Sequence, residues 1–361
     1  MMPIWWALVL LAVSTTASAD VQVKGTGSTF ASNLYASWSQ NGAMTRGSRL
    51  TYEPTGSGNS VRAVQERAAD FGAFDKPLNQ ASLDQAVLVQ FPTAIGGVVL
   101  LANVPGVPTS KLKRDGSTLA DIFDGRIQSW DAPAIKALYR ELNLPAAAIT
   151  PVYRSEASGT SYVFTTYLSK VNAPFRQSIG ATATLSLTSG RGMRTSSEIA
   201  EAVHTQVGAI GYVDFSFANE LHFPLVQLKN QWGTIVNASP ESMQLSMRAA
   251  DWEKLQIDQD PVFDMDLADA GCPGCWPIAS LTDVLVPIKG HIGNSMKVLK
   301  FFEQAILHGD EVAEKEGYVP PPSFAKSAVS LAMRRWNLTL ERFGAGATRR
   351  HSANQAISTK I

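Results

Sequence analysis

Three short stretches of the chain combine glycines, hydroxyls and a helix start, and together they could hold an anion. They are Gly25-Thr26-Gly27-Ser28-Thr29-Phe30, Pro54-Thr55-Gly56-Ser57-Gly58-Asn59-Ser60 and Arg154-Ser155-Glu156-Ala157-Ser158-Gly159-Thr160. Each follows a short apolar run and precedes an amphipathic one, which reads as strand, tight polar loop and helix. The first N–H groups of a helix have no intrahelical partner, and the helix dipole makes that end partly positive. An anion is stabilised there. Glycine lets the backbone approach it, and the planar fork of Arg154 can bind an oxyanion through two N–H groups. For any one loop the same residues serve equally well as a capped helix with a surface ion pair. Three such loops converging on one small tetrahedral anion is the more specific reading.

The elements that must position these loops follow from the hydrophobic pattern. Val21–Lys24, Leu50–Glu53 and Asp70–Ala73 read as strands, with helices at about 30–40, 60–68 and 80–86, the alternation of a parallel sheet. The apolar run Gly96–Asn103 reads as a buried strand, followed by the turn-rich Val104–Pro108. Ser117–Phe123, Asp131–Leu142, Ser197–Thr205 and Glu241–Leu255 read as helices and Ala209–Val213 as a strand. Leu281–Ile288 is a second apolar strand, and 294–308 and 323–340 are helices. A chain of 361 residues exceeds one typical core, so two lobes are expected. The expected division is 20–100 for the first lobe, 101–278 for the second and 279–342 for a return to the first, with the two apolar strands as crossings. Residues 343–361 are polar and aperiodic and are expected to form a disordered tail.

Hydrophobic residues make up 45% of the chain and charged residues 17%, a balance that fits a folded protein. The formal net charge is zero, and no Lys/Arg run precedes the tail, which argues against a nucleic-acid partner. Residues 1–19 hold the apolar run Ile4–Val13 and end Ala17-Ser18-Ala19, a signal peptide expected to be cleaved after Ala19. The run is too short to span a bilayer, so the expected location is the periplasm. In that oxidising compartment Cys272-Pro273-Gly274-Cys275 is expected to form a disulfide. A zinc site would need two further ligands nearby, and Pro277 speaks against the helix that a redox pair would want. Neither cofactor nor metal is expected.

Nucleophile and metal motifs are missing: Gly-x-Ser-x-Gly, Gly-x-x-x-x-Gly-Lys and His-Glu-x-x-His do not occur. Ser-x-x-Lys appears at Ser110–Lys113 and Ser323–Lys326 without a Lys-Thr-Gly, and the five histidines, at 204, 222, 291, 308 and 351, are scattered.

Beyond the loops themselves, Gly25–Trp38, Gly56–Ser57, Asp70-Phe71-Gly72-Ala73-Phe74-Asp75, Arg154–Lys170 and Gly208-Ala209-Ile210-Gly211-Tyr212-Val213 occur in that order. Phe91–Val98, Trp276-Pro277-Ile278 and Gly317-Tyr318-Val319-Pro320 add to the set. Spread over nearly all of residues 21 to 335, it resembles the periplasmic phosphate-binding protein family, the solute receptors of phosphate-uptake ABC transporters. The resemblance implies an α/β, two-lobed periplasmic-binding-protein fold of type II. Each lobe would be a mixed, mostly parallel sheet flanked by helices, and two hinge strands would join them. It further implies inorganic phosphate as ligand, membrane permease subunits as partners, a monomer, and no enzymatic activity. Carried over by motif, the ligand-binding residues are Thr29, Phe30 through its backbone N–H, Ser57, Asp75, Arg154, Ser158, Gly159 and Thr160. The family usually has Asp-Gly where this chain has Glu156-Ala157, and Glu156 is expected to orient Arg154 by an ion pair. Arg191-Gly192-Met193-Arg194 departs from the usual glycine-rich sequence. The competing readings are a receptor for sulfate or molybdate and a phosphate-ester hydrolase.

Overall fold

The computed structural model of the chain describes residues 21–41, 48–139, 142–250, 263, 265–290 and 292–358. Its strands, in chain order, are β1 Val21–Gly27, β2 Ser48–Glu53, β3 Phe71–Phe74, β4 Leu88–Ala102, β5 Lys113–Asp115, β6 Thr150–Arg154, β7 Arg191–Met193, β8 Ala209–Asp214, β9 Gln227–Lys229, β10 Ile235–Val236 and β11 Ala279–Pro287. Eight of them form one sheet in the order β2-β1-β3-β11-β4-β8-β6-β7, and β10-β9-β5 form a small second sheet. In the large sheet β1 pairs in parallel with β2 and β3, and β6 with β7 and β8. The pairs of β11 with β3 and β4, and of β4 with β8, are antiparallel. The sheet is therefore mixed, and parallel at both outer ends, where strand–helix alternation in the sequence is clearest.

β4 joins the two ends. All fifteen of its residues are buried, as expected of a strand covered on both faces. Leu88–Gly97 pairs with β11, and Val98–Ala102 pairs with β8. It begins eight residues before the Gly96 start read from the sequence and runs through Pro92, a residue that central strands usually exclude. The structure accommodates Pro92 with an irregularity: register shifts between Thr282 and Asp283 of β11, so that these face Ala94 and Pro92. Thr93, the residue passed over, turns its hydroxyl to the Thr282 carbonyl at 3.0 Å.

Helices flank the sheet on both faces. Ser32–Gln40 buries Leu34, Tyr35 and Trp38, and Ile292–His308 buries Val298, Leu299, Phe301, Phe302, Ala305 and Ile306. Tyr35, Phe71 and Phe91 all meet Phe302 edge-on, which locks both helices onto the β1–β3 end. Three expectations need correction. Among the described residues the helix expected over 131–142 is Pro133–Lys136, with 140 and 141 outside them; Tyr139 turns away to donate its hydroxyl to the Lys113 carbonyl at 2.7 Å. The helix expected over 241–255 is Pro240–Arg248, and 251–255 lies outside the described residues. The final helix runs Ser323–Ser358 and so occupies most of the stretch expected to be a disordered tail. Ala345, Ala347, Ala353, Gln355 and Ala356 are strong helix formers, and extending a helix already nucleated upstream costs little. The signal peptide and its cleavage site lie outside the described residues.

Cys272 and Cys275 are joined in a disulfide. Asn230 Nδ2 donates to the carbonyls of Cys272 and Pro273, at 3.2 and 2.8 Å, holding the bridged turn against the small sheet. Mass spectrometry of the unreduced protein is expected to find no alkylatable thiol. Replacing both cysteines with serine should cost about 2 kcal/mol of stability, the loop-closure scale for so short a ring. Ligand affinity should hold, since the pair belongs to none of the three anion loops.

Candidate anion-binding site

The three loops meet where the two ends of the sheet meet. The first leaves β1 and is pinned by the Ser28 N–H to the Ala73 carbonyl at 2.7 Å, two residues before Asp75. The second is tied to the first by the Gly56 N–H on the Gly27 carbonyl at 2.8 Å. The third leaves β6 and enters the helix Gly159–Val171. Glycine is required at two contacts between these loops. A Cβ on Gly56, whose φ is 93°, would lie 2.6 Å from the Ala157 carbonyl oxygen. A Cβ on Gly159 would lie 1.5 Å from Asp75 Oδ2 and 2.7 Å from Ser57 Oγ. Backbone thus meets backbone or carboxylate without an intervening side chain.

Asp75 is buried and accepts three hydroxyls. Ser28 Oγ and Ser57 Oγ donate to Oδ2 at 2.6 and 2.7 Å, and Thr282 Oγ1 donates to Oδ1. Burial pushes its carboxyl above the ordinary value. The hydrogen bonds from Ser28, Thr282 and Ser57 oppose that rise, and the charge of Asp214 adds to it. Its Oδ2 lies against the start of a helix, the position where negative charge is favoured.

Arg154 sits at the end of β6, only 6% exposed. Its main-chain N–H donates to Tyr212 Oη at 3.2 Å, and that hydroxyl also shares a 2.7 Å bond with Ser161 Oγ. Burial pushes the Tyr212 phenol up to about 12. Arg154 is pushed down by burial, against the opposing influence of Tyr212, Asp214, Glu156 and Glu198. Its Nε has no hydrogen-bond partner among the described residues, and neither does the buried Thr160 hydroxyl. An unpartnered buried donor costs roughly 1–3 kcal/mol, so each is a donor set up for something the chain does not itself supply. Arg154 lines a cleft of about 340 Å³ together with Thr29, Asn33, Asp214, Ser216 and Tyr318.

The other residues singled out from the sequence fall into place unevenly. Ser158 caps the Gly159–Val171 helix, its Oγ accepting the Ser161 N–H at 3.4 Å. Thr29 lines the cleft. The Phe30 N–H donates to Ser28 Oγ at 3.0 Å, and the Phe30 ring is buried edge-on to Tyr318. Glu156 does not orient Arg154: its Oε1 pairs with Arg194 Nε at 3.0 Å, with both side chains largely exposed. Arg154, Glu156 and Arg194 line the same cleft, and the two departures from the family pattern pair with each other there. At such exposure the pair contributes little. Sequence reasoning missed Ser28 and Thr282. Ser28 lay inside the first loop beside the more conspicuous Thr29. Thr282 was marked by being one of two adjacent polar residues in an apolar strand.

The profile of the PBP superfamily domain matches residues 12–265. A phosphate-binding protein PstS of Xylella fastidiosa is 33% identical over 315 residues, covering 87% of this chain and 85% of that one. One from Haemophilus influenzae is 31% identical over 320 residues, covering 88% and 93%. Among solved structures, a high-affinity periplasmic phosphate-binding protein, PfluDING, bound with phosphate, superposes with a TM-score of 0.65 at 20% identity, covering 86% of this chain and 93% of that one. The phosphate-binding protein of Stenotrophomonas maltophilia gives 0.57 at 18% identity, with the same coverage. At these identities the structural matches speak for the fold.

Proposed function

This chain belongs to the PstS family of phosphate-binding proteins, within the PBP superfamily, and from that premise we propose that it binds inorganic phosphate and delivers it to an ABC-type permease. The observation that carries the reading is Asp75. A buried carboxylate in an anion site is unfavourable unless the anion brings a proton. Near neutral pH phosphate keeps at least one proton and sulfate keeps none. Asp75 can accept from the first and only repel the second, a difference that favours phosphate. Arg154, the start of the Gly159–Val171 helix, Thr160 and Ser158 supply positive potential and donors on one side, with Thr29 and the backbone N–H of Ser57 on the other, the Ser57 hydroxyl being given to Asp75. The Phe30 N–H contributes through Ser28.

We further infer two lobes divided near 20–100, 101–278 and 279–342, closing on the ligand by a hinge. The change of β4's partner between Gly97 and Val98, and the start of β11 at Ala279, support those boundaries. The protein acts as a monomeric receptor in the periplasm and not as an enzyme. Turnover of a chromogenic phosphate ester would overturn that last point.

Calorimetry with phosphate and sulfate at pH 7 tests the ligand. Asp75→Asn removes the charge and keeps the shape and one acceptor oxygen. It should bind phosphate within roughly 1–2 kcal/mol of the wild type, the scale of one altered hydrogen bond. Its preference for phosphate over sulfate should shrink by more than that. An unchanged ratio would reduce Asp75 to a structural residue and reopen the choice of oxyanion.

A further inference from the structure

The first anion loop ends on a carboxylate. We propose that Ser28 is a positioning residue of the phosphate site: it passes the Phe30 N–H, through its own hydroxyl, to Asp75 Oδ2 and so keeps Asp75 an acceptor for the proton of the ligand. This rests on the phosphate reading above and deepens it.

The direction of the relay is fixed by chemistry. The Phe30 N–H can only donate, and it donates to Ser28 Oγ at 3.0 Å. The Ser28 proton is therefore free to point only onward, and at 2.6 Å it meets Asp75 Oδ2. Ser28 is fully buried, so no water competes for it. A hydroxyl whose lone pair is already engaged by a donor is itself the stronger donor. A carboxylate offers about four acceptor positions. Ser28 and Ser57 take two on Oδ2, and Thr282 takes one on Oδ1. One position on Oδ1 is left for the ligand's proton. A proton taken up there by Asp75 itself would remove the charge on which the three hydroxyls converge, and Ser28 cannot turn from Oδ2 without disturbing the Phe30 N–H.

The neighbours push the other way. Asp214, at the end of β8, raises Asp75 by its charge, in addition to burial. Tyr35 from the Ser32–Gln40 helix, Tyr52 from β2 and Tyr318 sit within its field, and Asp283 of β11 acts on Tyr35 in the same region. Lys76, the next residue, lies 5.6 Å over the Tyr162 ring. Asp75 itself lines a cavity with Lys76 and Asp266, and Arg154 and Arg194 line the cleft that holds Thr29. Against that balance each hydroxyl counts. Once Asp75 takes up a proton it becomes a donor, and sulfate, until then excluded, can compete. The phosphate-to-sulfate ratio should therefore fall as pH drops through the titration of Asp75. Loss of a donor to the carboxylate should move that fall to higher pH.

The test is a competition titration of sulfate against phosphate on the purified protein from pH 8 down to the limit of its stability. Ser28→Ala is expected to move the onset of sulfate competition up by about one pH unit, the scale of one hydrogen bond to a charged group. Thr282→Val, of nearly the same shape, should move it in the same direction. Asp75→Asn should flatten the profile, and adding Ser28→Ala to it should change nothing. An unmoved onset in Ser28→Ala, or a shift that persists without the carboxylate, overturns the relay and leaves the receptor reading standing. A wild-type protein that fails to bind phosphate at pH 8 overturns both.

Discussion

Arg154→Ala should weaken phosphate binding by about 2–5 kcal/mol, the usual result of removing one partner of a desolvated charge pair. That is roughly thirty-fold to several-thousand-fold in Kd. The same substitution should leave the ligand-free protein no less stable. Arg154 is a nearly buried cation whose Nε has no partner within the described chain, so the fold bears its desolvation without a matching ion pair. Thermal melts therefore separate the two effects. Without phosphate the variant should melt at or above the wild-type temperature, and the rise that saturating phosphate gives the wild type should be absent. Arg154→Lys should recover only part of the affinity, since an ammonium lacks the two-pronged fork. If Arg154→Ala binds within a few-fold of the wild type, Arg154 is not the cation of the site.

Gly159→Ala should also be severe, for a steric reason. The added methyl would lie 1.5 Å from Asp75 Oδ2, and Asp75 cannot withdraw because Ser28, Ser57 and Thr282 hold it. Overpacking of this kind costs about 1–3 kcal/mol, and on the hinge closure proposed above the cost falls only on the form in which the helix start and Asp75 are together. Alanine is the better helix residue, so a form in which the two are apart should not suffer. Small-angle scattering should show the variant failing to compact with phosphate, and calorimetry should show the matching loss of affinity. A variant that compacts and binds like the wild type would mean that Gly159 and Asp75 do not meet in the bound protein.

The sequence reveals the parts that obey one rule at a time. The helix Gln80–Ala86 and the strand–loop–helix unit around Arg154 follow from periodicity, caps and turn residues, all of them local. β4 was half hidden because Pro92 breaks a local rule, and only the irregular pairing with β11 makes room for it. The Pro133–Lys136 helix is short because Tyr139 is drawn to the Lys113 carbonyl, a contact no periodicity encodes. The site divides in the same way. Asp75, Arg154 and Gly159 could be named from motifs. The role of Thr282, and the pairing of Glu156 with Arg194 instead of Arg154, depend on which residues the fold brings together from distant parts of the chain.

The position of β11 also bears on the order in which the molecule assembles. As the chain emerges from its N-terminus, β1, β2, β3 and β4 are all present early, yet β3 and β4 are not neighbours. The strand between them, β11, does not begin until Ala279. The β4–β8–β6–β7 end draws its strands from one continuous stretch and can pair as soon as it exists. The other end must wait with a gap at the centre of its sheet, exposing two strand edges that invite pairing with other chains. Contacts so distant in sequence form slowly. Aggregation during refolding should therefore arise from the β1–β3 end, and the slow step should be the insertion of β11, which also delivers Thr282 to Asp75.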